Sequence, residues 1–355
     1  MEKKVTLLAG GDLMLGDMVN KIGIGVYSRA KLLGLKVFFN EILEEFKQHD
    51  FVFGNMEGVL SDEMPCNSIH TLKMRGSKEF AKQLSDIGFN VLSVANNHIL
   101  EHGEKDFYET VNHLESCGIK CVGIKNKPVY INKNGLAICF IGVSVIQDFT
   151  STDAYNRIVL GDSDFISYIT KLKTTCDHII LSVHWGSEFV ELPSLSQVEY
   201  ARQLMEAGVS LILGHHSHCL QGYQKHGNGL VVFSLGNLIS DMQFLPARKT
   251  GLFSIVLGQD SVEEVRVIPL EIGEDYILHR GYGSLGVEKN TSESSLADYD
   301  LYKNDTDYSM AVSMARKRYK VFLRKEFLCN LSKLKLWVTT QLIHYYLFNQ
   351  IGLKP

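Results

Sequence analysis

Six short apolar runs in this 355-residue sequence each stop at a small or turn-forming residue that is followed by polar side chains. They read LLAGGD, FVFGNME, LSVANNH, ILSVHWG, LILGHHSH and VVFSLGN. Runs of this length are typical of buried strands, and segments with helical periodicity lie between most of them. The alternation predicts an α/β fold. In such folds the residues that follow the carboxyl ends of the strands gather at one edge of the sheet, so these polar side chains are expected to converge.

Two other stretches extend this outline. VFFNEILEEF places its apolar residues on one face and predicts a helix over 37–46. From Leu230 onward, LVVFSLGNLIS, GLFSIVLG and VEEVRVIPLEI have strand-like composition and short connections. That change predicts antiparallel strands that complete a second sheet.

The charge and hydropathy pattern excludes several classes of protein. With 36 basic and 40 acidic residues, the net charge of −4 gives no general attraction to nucleic acid, and no nucleic-acid partner is expected. No run approaches the length of a membrane-spanning helix, and the apolar stretch before Asp12 is too short for a signal peptide. Seven cysteines without a C-x-x-C pair fit reduced thiols. These features predict a cytoplasmic protein, with peripheral attachment to the inner membrane face as an alternative.

The last fifth of the chain differs from the rest. We expect a main domain over residues 1–286, a polar linker or loop over 287–308 and a helical extension over 309–355. Basic residues in this extension alternate with apolar ones, which indicates an amphipathic helix. One interpretation is peripheral contact of residues 316–348 with anionic lipid or an acidic partner. The other is a helix docked on the main domain, with a basic face in solvent.

The polar residues at the strand ends include several types of metal ligand. Each has an ordinary structural explanation when taken alone: Asp12 as a helix cap, Glu57 as an exposed loop residue, His184 as a buried structural histidine. Asn96 and Asn97 can stabilise a turn, and the histidines near His216 can belong to a polar loop. Together they supply the carboxylate, amide and imidazole groups that borderline divalent metals accept. The combined set therefore predicts a metal centre.

The order of the motifs resembles a known family. GGDLMLGD, GNMEGVLS, SVANNHILEHG, VHWGSEF, LGHHSHCLQ and FSLGNLISD are similar, in sequence order, to motifs of the CapA or poly-gamma-glutamate capsule-synthesis family, a branch of the calcineurin-like metallophosphoesterases. The resemblance covers about residues 5–245. It implies a four-layer αββα sandwich of metallophosphoesterase type, to which the tail adds a C-terminal helical extension.

The resemblance also implies roles for individual residues. The metal ligands would be Asp12, Glu57, Asn97, His184, His216 and His218, with Glu57 as the bridging acid and one or two Mn, Fe or Zn ions. His98 would be the general acid. The residues expected to line the substrate pocket are Asn55, Asn96, Trp185, Glu188, His215, Ser234 and Asn237.

This sequence departs from the pattern at three positions. Met14 stands where the broader superfamily has a histidine two places after the first aspartate, so the number of ions, one or two, stays open. Glu101 replaces the usual aspartate after His98, and Ser217 replaces a common proline.

Two functions are compatible with these features. The first is a metal-dependent hydrolase in capsule or exopolymer biosynthesis that acts on a phosphoester or on a bond in an anionic envelope polymer. The second is a non-catalytic component that binds the polymer or takes part in capsule assembly with other proteins. A purely structural metal is disfavoured because the ligand set is larger than a closed structural site needs.

Overall fold

The computed structural model describes residues 3–61, 68–148, 150, 152–281, 302 and 304–350, with side chains up to 345. The strands are β1 (Val5–Leu13), β2 (Phe51–Met56), β3 (Val59–Ser61), β4 (Arg75–Ser77), β5 (Val91–Ser93), β6 (Lys120–Val122), β7 (Val129–Lys133), β8 (Leu136–Ser144), β9 (His178–His184), β10 (Leu211–His215), β11 (Tyr223–His226), β12 (Gly229–Val232), β13 (Asn237–Ile239), β14 (Lys249–Leu257), β15 (Val262–Ile272) and β16 (Leu278–Arg280). The α-helices are α1 (Val26–Leu33), α2 (Leu43–Lys47), α3 (Ile69–Leu72), α4 (Glu79–Ile87), α5 (Glu104–Ser116), α6 (Ser163–Leu172), α7 (Leu195–Glu206), α8 (Leu245–Arg248), α9 (Asp305–Asn330) and α10 (Leu336–Gln350), and short 3₁₀ helices cover Val19–Lys21, Leu35–Phe39 and Lys173–Thr175.

Two mixed sheets form the centre of the molecule. The first has the strand order β16-β15-β14-β1-β2-β5-β6, with β13 also paired to β1, and the second has the order β11-β12-β10-β9-β8-β7. In the first sheet β1, β2, β5 and β6 run parallel, and in the second β8, β9, β10 and β12 do so. The carboxyl ends of several strands in each sheet therefore lie along one edge, as the six apolar runs predict.

The side chains of β1 alternate between two layers of core. Leu7 and Ala9 pack into a cluster between the sheets together with Leu211 and Leu213 of β10. Leu8 points to the opposite face, toward the helices that cover the first sheet. A third cluster joins the second sheet to α6 and α7. These three apolar layers confirm the four-layer αββα sandwich.

Two expectations about local structure were wrong. The region 37–46 is not one helix, because a 3₁₀ helix (Leu35–Phe39) ends before α2 begins at Leu43. The break lets the rings of Phe39, Phe46 and Phe89 pack edge-to-face, so the apolar residues are buried without a continuous helix. The late strands β14, β15 and β16 are antiparallel, but they extend the first sheet because β14 pairs with the free edge of β1.

The polar linker expected over 287–308 lies mostly outside the described residues. Its end, residues 305–308, belongs to α9 and is not a loop. The Asn304 side chain caps this helix by accepting a hydrogen bond from the backbone N–H of Asp307. Asp305 and Asp307 then lie in its first turn, where the helix dipole favours negative charge. The polar composition that indicated a linker is thus partly the composition of a helix N-terminus.

Helix α9 is docked on the loops at the ends of the strands. Its Ala315, Tyr319 and Phe322 join an apolar cluster that includes Met14 and Phe189. Further along, Glu326 forms a nearly buried ion pair with Lys21 at 2.7 Å, and its other oxygen accepts a hydrogen bond from the Asn20 amide at 2.8 Å. Among the described residues, no helix combines the length and apolar character needed to cross a membrane.

Candidate metal centre

Strand ends from both sheets meet at one buried point. In the first sheet Asp12 of β1 lies opposite Asn55 of β2, and in the second His184 of β9 lies opposite His215 of β10. The approach requires glycine at two places. A Cβ on Gly11 would collide with the carbonyl oxygen of Gly236, and one on Gly214 would collide with that of Phe233. The small residues that end the apolar runs therefore bring the polar side chains together.

The centre of this cluster is the carboxylate oxygen Oε1 of Glu57. It lies 3.8 Å from His184 Nε2 and 3.9 Å from the Nε2 atoms of both His98 and His218. Within the described part of the chain, neither Glu57 Oε1 nor His218 Nε2 has a hydrogen-bond partner, although both are fully buried. Unpaired buried groups of this kind are costly unless a ligand satisfies them. A cation in the middle would satisfy both.

A first group of donors surrounds His184. Its Nε2 atom is 2.8 Å from Asn97 Oδ1 and 3.1 Å from His216 Nδ1, with Glu57 on the remaining side. Burial and the neighbouring His216 lower the pKa of His184 well below its usual value. Burial and the charge of His218 lower the pKa of His216 to about 3. Both imidazoles are therefore neutral near pH 7, which is the state in which imidazole binds metals.

A second group of donors contains Asp12 and His218. His218 Nδ1 lies 3.4 Å from Asp12 Oδ2 and 3.0 Å from Asn237 Oδ1. Burial alone would lower the pKa of His218, but the carboxylates of Glu57 and Asp12 outweigh it and raise the pKa to about 10. Burial and the Asp12 carboxylate also raise the pKa of Glu57. Two carboxylates thus share one buried site. In the absence of a metal ion, bound protons neutralise their charge.

Asp12, Glu57 and His184 form a candidate metal site. One ligand atom from each lies within 4.8 Å of the others, and all three residues are buried. Met14, by contrast, supplies no ligand. It is 1% exposed, accepts a hydrogen bond from Ser240 at its sulfur and packs with Phe189 and Met242. The second donor group therefore gains no ligand from position 14, where apolar packing takes the place of a donor.

Several residues expected to line a substrate pocket form hydrogen bonds with the candidate ligands or within the loops that carry them. Asn55 donates to Asp12 Oδ1 at 2.9 Å, and Asn96 donates to Asn55 Oδ1 at 3.1 Å. His215 Nδ1 lies 3.0 Å from Asp12 Oδ1. The residues with such supporting contacts are Asn55, Asn96, His215, Ser234 and Asn237, all with 0% exposure. Full burial separates them from solvent, which fits the orientation of the candidate ligands better than contact with a substrate.

Trp185 and Glu188 lie in contrasting environments. Trp185 belongs to the core between the second sheet and its helices, and its indole donates to the Phe233 carbonyl at 2.9 Å. Its place in the core does not fit the expected pocket role. Glu188 is half-buried, and its charge acts on both Glu57 and His218. It is the residue of this pair that borders the centre.

His98 is on the open side of the cluster. Its side chain is 26% exposed, and Nδ1 lies 3.1 Å from Glu101 Oε2 while Nε2 faces Glu57. Glu101 also pairs with the Lys73 ammonium. Burial would raise the pKa of Glu101, but the contacts with His98 and Lys73 outweigh it and lower the pKa to about 2. An ionised Glu101 therefore fixes the orientation of the His98 ring.

The residues that cover the centre could not be identified from the sequence. Phe189 lies 5.8 Å from the His218 ring, and Tyr319 of α9 stacks on Phe189 with ring centroids 3.9 Å apart. Arg316 is close enough for its charge to lower the pKa of His216. More than 100 residues separate α9 from Phe189 in the chain. The aromatic positions within the tail were the available signal, but they did not reveal which loop the helix covers.

The two-sheet sandwich thus carries, at the ends of its strands, carboxylate, amide and imidazole groups that can hold a divalent cation. A family model described as bacterial capsule synthesis protein PGA_cap matches residues 6–242. The chain belongs to this family of bacterial capsule synthesis proteins, which confirms the resemblance of its motifs.

Individual relatives agree with the family. The chain is 26% identical over 289 residues to the capsule biosynthesis protein CapA of Bacillus anthracis, covering 77% of this chain and 68% of that protein. It is 26% identical over 275 residues to the PGA biosynthesis protein CapA of Bacillus subtilis strain 168, covering 74% and 70%. A solved structure of a 5'-nucleotidase of Staphylococcus aureus, named as putative, aligns at 13% identity with a TM-score of 0.48 over 88% of this chain and 58% of that one. An alignment this distant gives no basis for assigning an activity.

Proposed function

We propose that this protein is a metal-dependent hydrolase of capsule or exopolymer biosynthesis that cleaves a phosphoester or another bond in an anionic envelope polymer. The observation that carries the proposal is the unpaired, buried Oε1 atom of Glu57, which lies 3.8–3.9 Å from three imidazole nitrogens. Two of those histidines are buried, whereas the third, His98, is partly open to solvent. A closed structural site would not need a titratable group on its open side.

The residues around Glu57 suit a divalent cation. In our proposal Glu57, Asn97, His184 and His216 hold it, and Asp12 and His218 form a weaker second position. Mixed oxygen and nitrogen donors favour Mn, Fe or Zn over Mg or Ca. Such an ion, when bound, supplies Lewis-acid catalysis and a nucleophilic hydroxide at neutral pH.

The protein side chains supply the remaining steps. His98, oriented by Glu101, lies where it can donate a proton to the leaving group from the open side. The buried shell of Asn55, Asn96 and His215 keeps the carboxylate of Asp12 aligned. Glu188 is the acidic residue at the border, and it disfavours anionic groups except those drawn in by a cation.

Substitution of His98 tests the hydrolase function. We expect His98→Gln to lower kcat by about 100-fold or more with unchanged metal content, because it removes the proton donor and leaves the ligands intact. His113→Gln, in the last turn of helix α5 and outside the donor set, is the matched control and should keep full activity. The substrates are a panel of phosphomonoesters, phosphodiesters and γ-linked glutamyl polymers. A metal-loaded wild-type protein that hydrolyses none of them would contradict the proposal.

The alternative is a polymer-binding component without catalysis. It is favoured by Met14, whose apolar packing removes one ligand from the second donor group. The names of the relatives refer to capsule and PGA biosynthesis, which fits either function. Polymer binding by a metal-loaded protein with no turnover, unchanged in His98→Gln, would support this alternative.

A further inference from the structure

A groove runs along one side of α9 beside the metal centre. It encloses about 760 Å³, and we call it the basic groove because Arg316, Lys317, Lys320 and Arg324 line it together with Ser187 and Tyr308. Arg316, Lys320 and Arg324 are spaced four residues apart. A helix rises about 6 Å over four residues, so these cations form a row about 12 Å long. All four basic side chains are exposed.

The charges of this row are not neutralised by the described part of the protein. None of the four basic residues has an ion pair or hydrogen bond with another described residue, whereas Glu326 of the same helix pairs with Lys21 away from the groove. A row of unpaired cations on a rigid helix attracts a ligand with negative charges at regular intervals.

One end of the groove is formed by the loop that follows His184. Ser187 follows the ligand His184 by three residues, and Tyr308 interacts with Ser187 across the groove. At the same end, the positive charge of Arg316 is close enough to lower the pKa of His216. The stacking of Tyr319 on Phe189 fixes α9 over the loop that bears Ser187. A chain lying in the groove would therefore have one end beside the loop that follows His184.

The packing of α9 and the shape of the groove bear on whether the occupant is a polymer or a membrane. An amphipathic helix binds a bilayer through a free apolar face. In α9, Ala315, Tyr319 and Phe322 are instead packed against Phe189 and Phe244. Other apolar side chains of α9 remain exposed, namely Met310, Met314, Val321 and Leu328. The row of Arg316, Lys320 and Arg324, however, lies in a groove that Ser187 also lines, and a groove fits an extended polyanion better than the flat surface of a bilayer.

We infer that the basic groove of α9 is the binding site for a linear polyanion, and that Arg316, Lys320 and Arg324 hold successive anionic groups while one segment reaches the metal centre. The inference rests on the proposed function, because it names the element that holds the substrate of that site. It assigns the C-terminal helix a role in substrate binding. Carboxylate and phosphate polymers are both suitable ligands, since ammonium and guanidinium groups bind either anion.

Charge removal within the groove tests this inference. The probes are fluorescent poly-γ-glutamate and polyphosphate, and anisotropy at two salt concentrations gives Kd with the full-length protein. We expect the double variant Lys320→Ala, Arg324→Ala to bind at least one of the polymers about tenfold more weakly and with a smaller salt dependence. The charge-preserving pair Lys320→Arg, Arg324→Lys should bind like the wild type.

The matched control removes two charges outside the groove. Lys325 and Lys333 lie on another surface, beside Lys21 and Glu326. Lys325→Ala, Lys333→Ala should therefore change Kd by less than about twofold. Equal losses in both double variants would overturn the inference, because the effect would then follow total charge. Failure of the wild type to bind either polymer would also overturn it, as would binding to phosphatidylglycerol vesicles alone.

The outcome is separable from that of the proposed function. A protein that hydrolyses a small phosphoester but binds neither polymer contradicts the groove and leaves the hydrolase. A protein that binds polymer through Lys320 and Arg324 but hydrolyses nothing keeps the groove and contradicts the hydrolase.

Discussion

At the scale of single residues, the metal centre depends on contacts that the sequence indicates only in part. The ligand candidates follow from their positions after apolar runs, because strand ends of a sheet converge. Whether a residue binds the cation or supports a ligand depends on distances of a few ångströms, which sequence position does not determine. Asn97 lies beside His184 Nε2, whereas Asn96, its neighbour in the chain, hydrogen-bonds to Asn55.

Glu101 illustrates the supporting role. We expect Glu101→Gln to lower kcat by about 10- to 100-fold, because the neutral amide orients the His98 ring less firmly and withdraws the negative charge beside it. Metal content measured by plasma mass spectrometry should be unchanged, since Glu101 contacts no proposed ligand of the ion. Glu101→Asp should recover part of the rate. Full activity of the Gln variant would show that His98 needs no partner.

At the scale of elements, the positions of the strands in the sequence were easier to predict than which strands pair and where the helices pack. The runs that end at Asp12, Glu57 and His184 were identified because buried strands carry branched and aromatic residues. The placement of β14 next to β1 was not, because pairing between strands more than 230 residues apart leaves no local trace. The surface on which α9 packs was likewise not predictable from the sequence, although the alternation of basic and apolar residues in this helix was evident.

Asp241, in the loop after β13, lies near the Lys21–Glu326 ion pair that holds α9 and makes the stability of the fold depend on pH. Its carboxylate accepts a hydrogen bond from the Met18 N–H and lies near Asp17, Lys21 and Glu326. Burial and the charge of Asp17 raise the pKa of Asp241 to about 8. The folded state therefore binds a proton that the unfolded chain releases above its ordinary pKa of 3.8. This contribution to stability is complete below pH 4 and is lost as the pH rises toward 8.

Asp241→Asn should remove that dependence. The amide can still accept the Met18 hydrogen bond, but it carries no charge at high pH. We expect the variant to be more stable than the wild type by about 1–3 kcal/mol at pH 9 and to show a flatter profile between pH 4 and 8. Urea denaturation at several pH values gives the free energy of unfolding. Identical slopes for the two proteins would mean that Asp241 is already ionised in the fold.

At the scale of the whole molecule, the metal centre lies where both sheets and α9 meet. A ligand that binds only the folded state stabilises it in proportion to the logarithm of its concentration relative to Kd. At 100 times Kd the gain is about 2.7 kcal/mol, which corresponds to a rise in Tm of a few degrees for a chain of this size.

Removal of metal should therefore lower the thermal stability of the protein. We expect chelation to lower Tm by about 2–6 °C and re-addition of Mn or Zn to restore it. The double variant His216→Ala, His218→Ala should show no such response, because it lacks ligands from both donor groups. Calorimetry with and without chelator measures the shift. An equal shift in the double variant would place the stabilising ion elsewhere.

The fold class and the ligand candidates were thus accessible from sequence, because they follow from periodicity and from the geometry of parallel strands. The sheet order at the β14 edge and the cover over Phe189 were not, since both arise from packing between distant segments. The same limit explains Trp185. Its neighbour His184 is a proposed ligand at the end of β9, but Trp185, the first residue after this strand, packs into the core between the second sheet and its helices.

The backbone at His216 and His218 has φ angles of +89° and +56°. Residues with a side chain adopt this left-handed region at a cost of about 1–3 kcal/mol, and glycine adopts it without strain. A chain selected for thermal endurance alone would gain from glycine at both positions. The two histidines at these positions therefore lower the free energy of unfolding, and the protein keeps imidazole groups in this loop at that cost. Directed evolution for a higher Tm, without an assay for metal binding or activity, would therefore favour the loss of these two histidines.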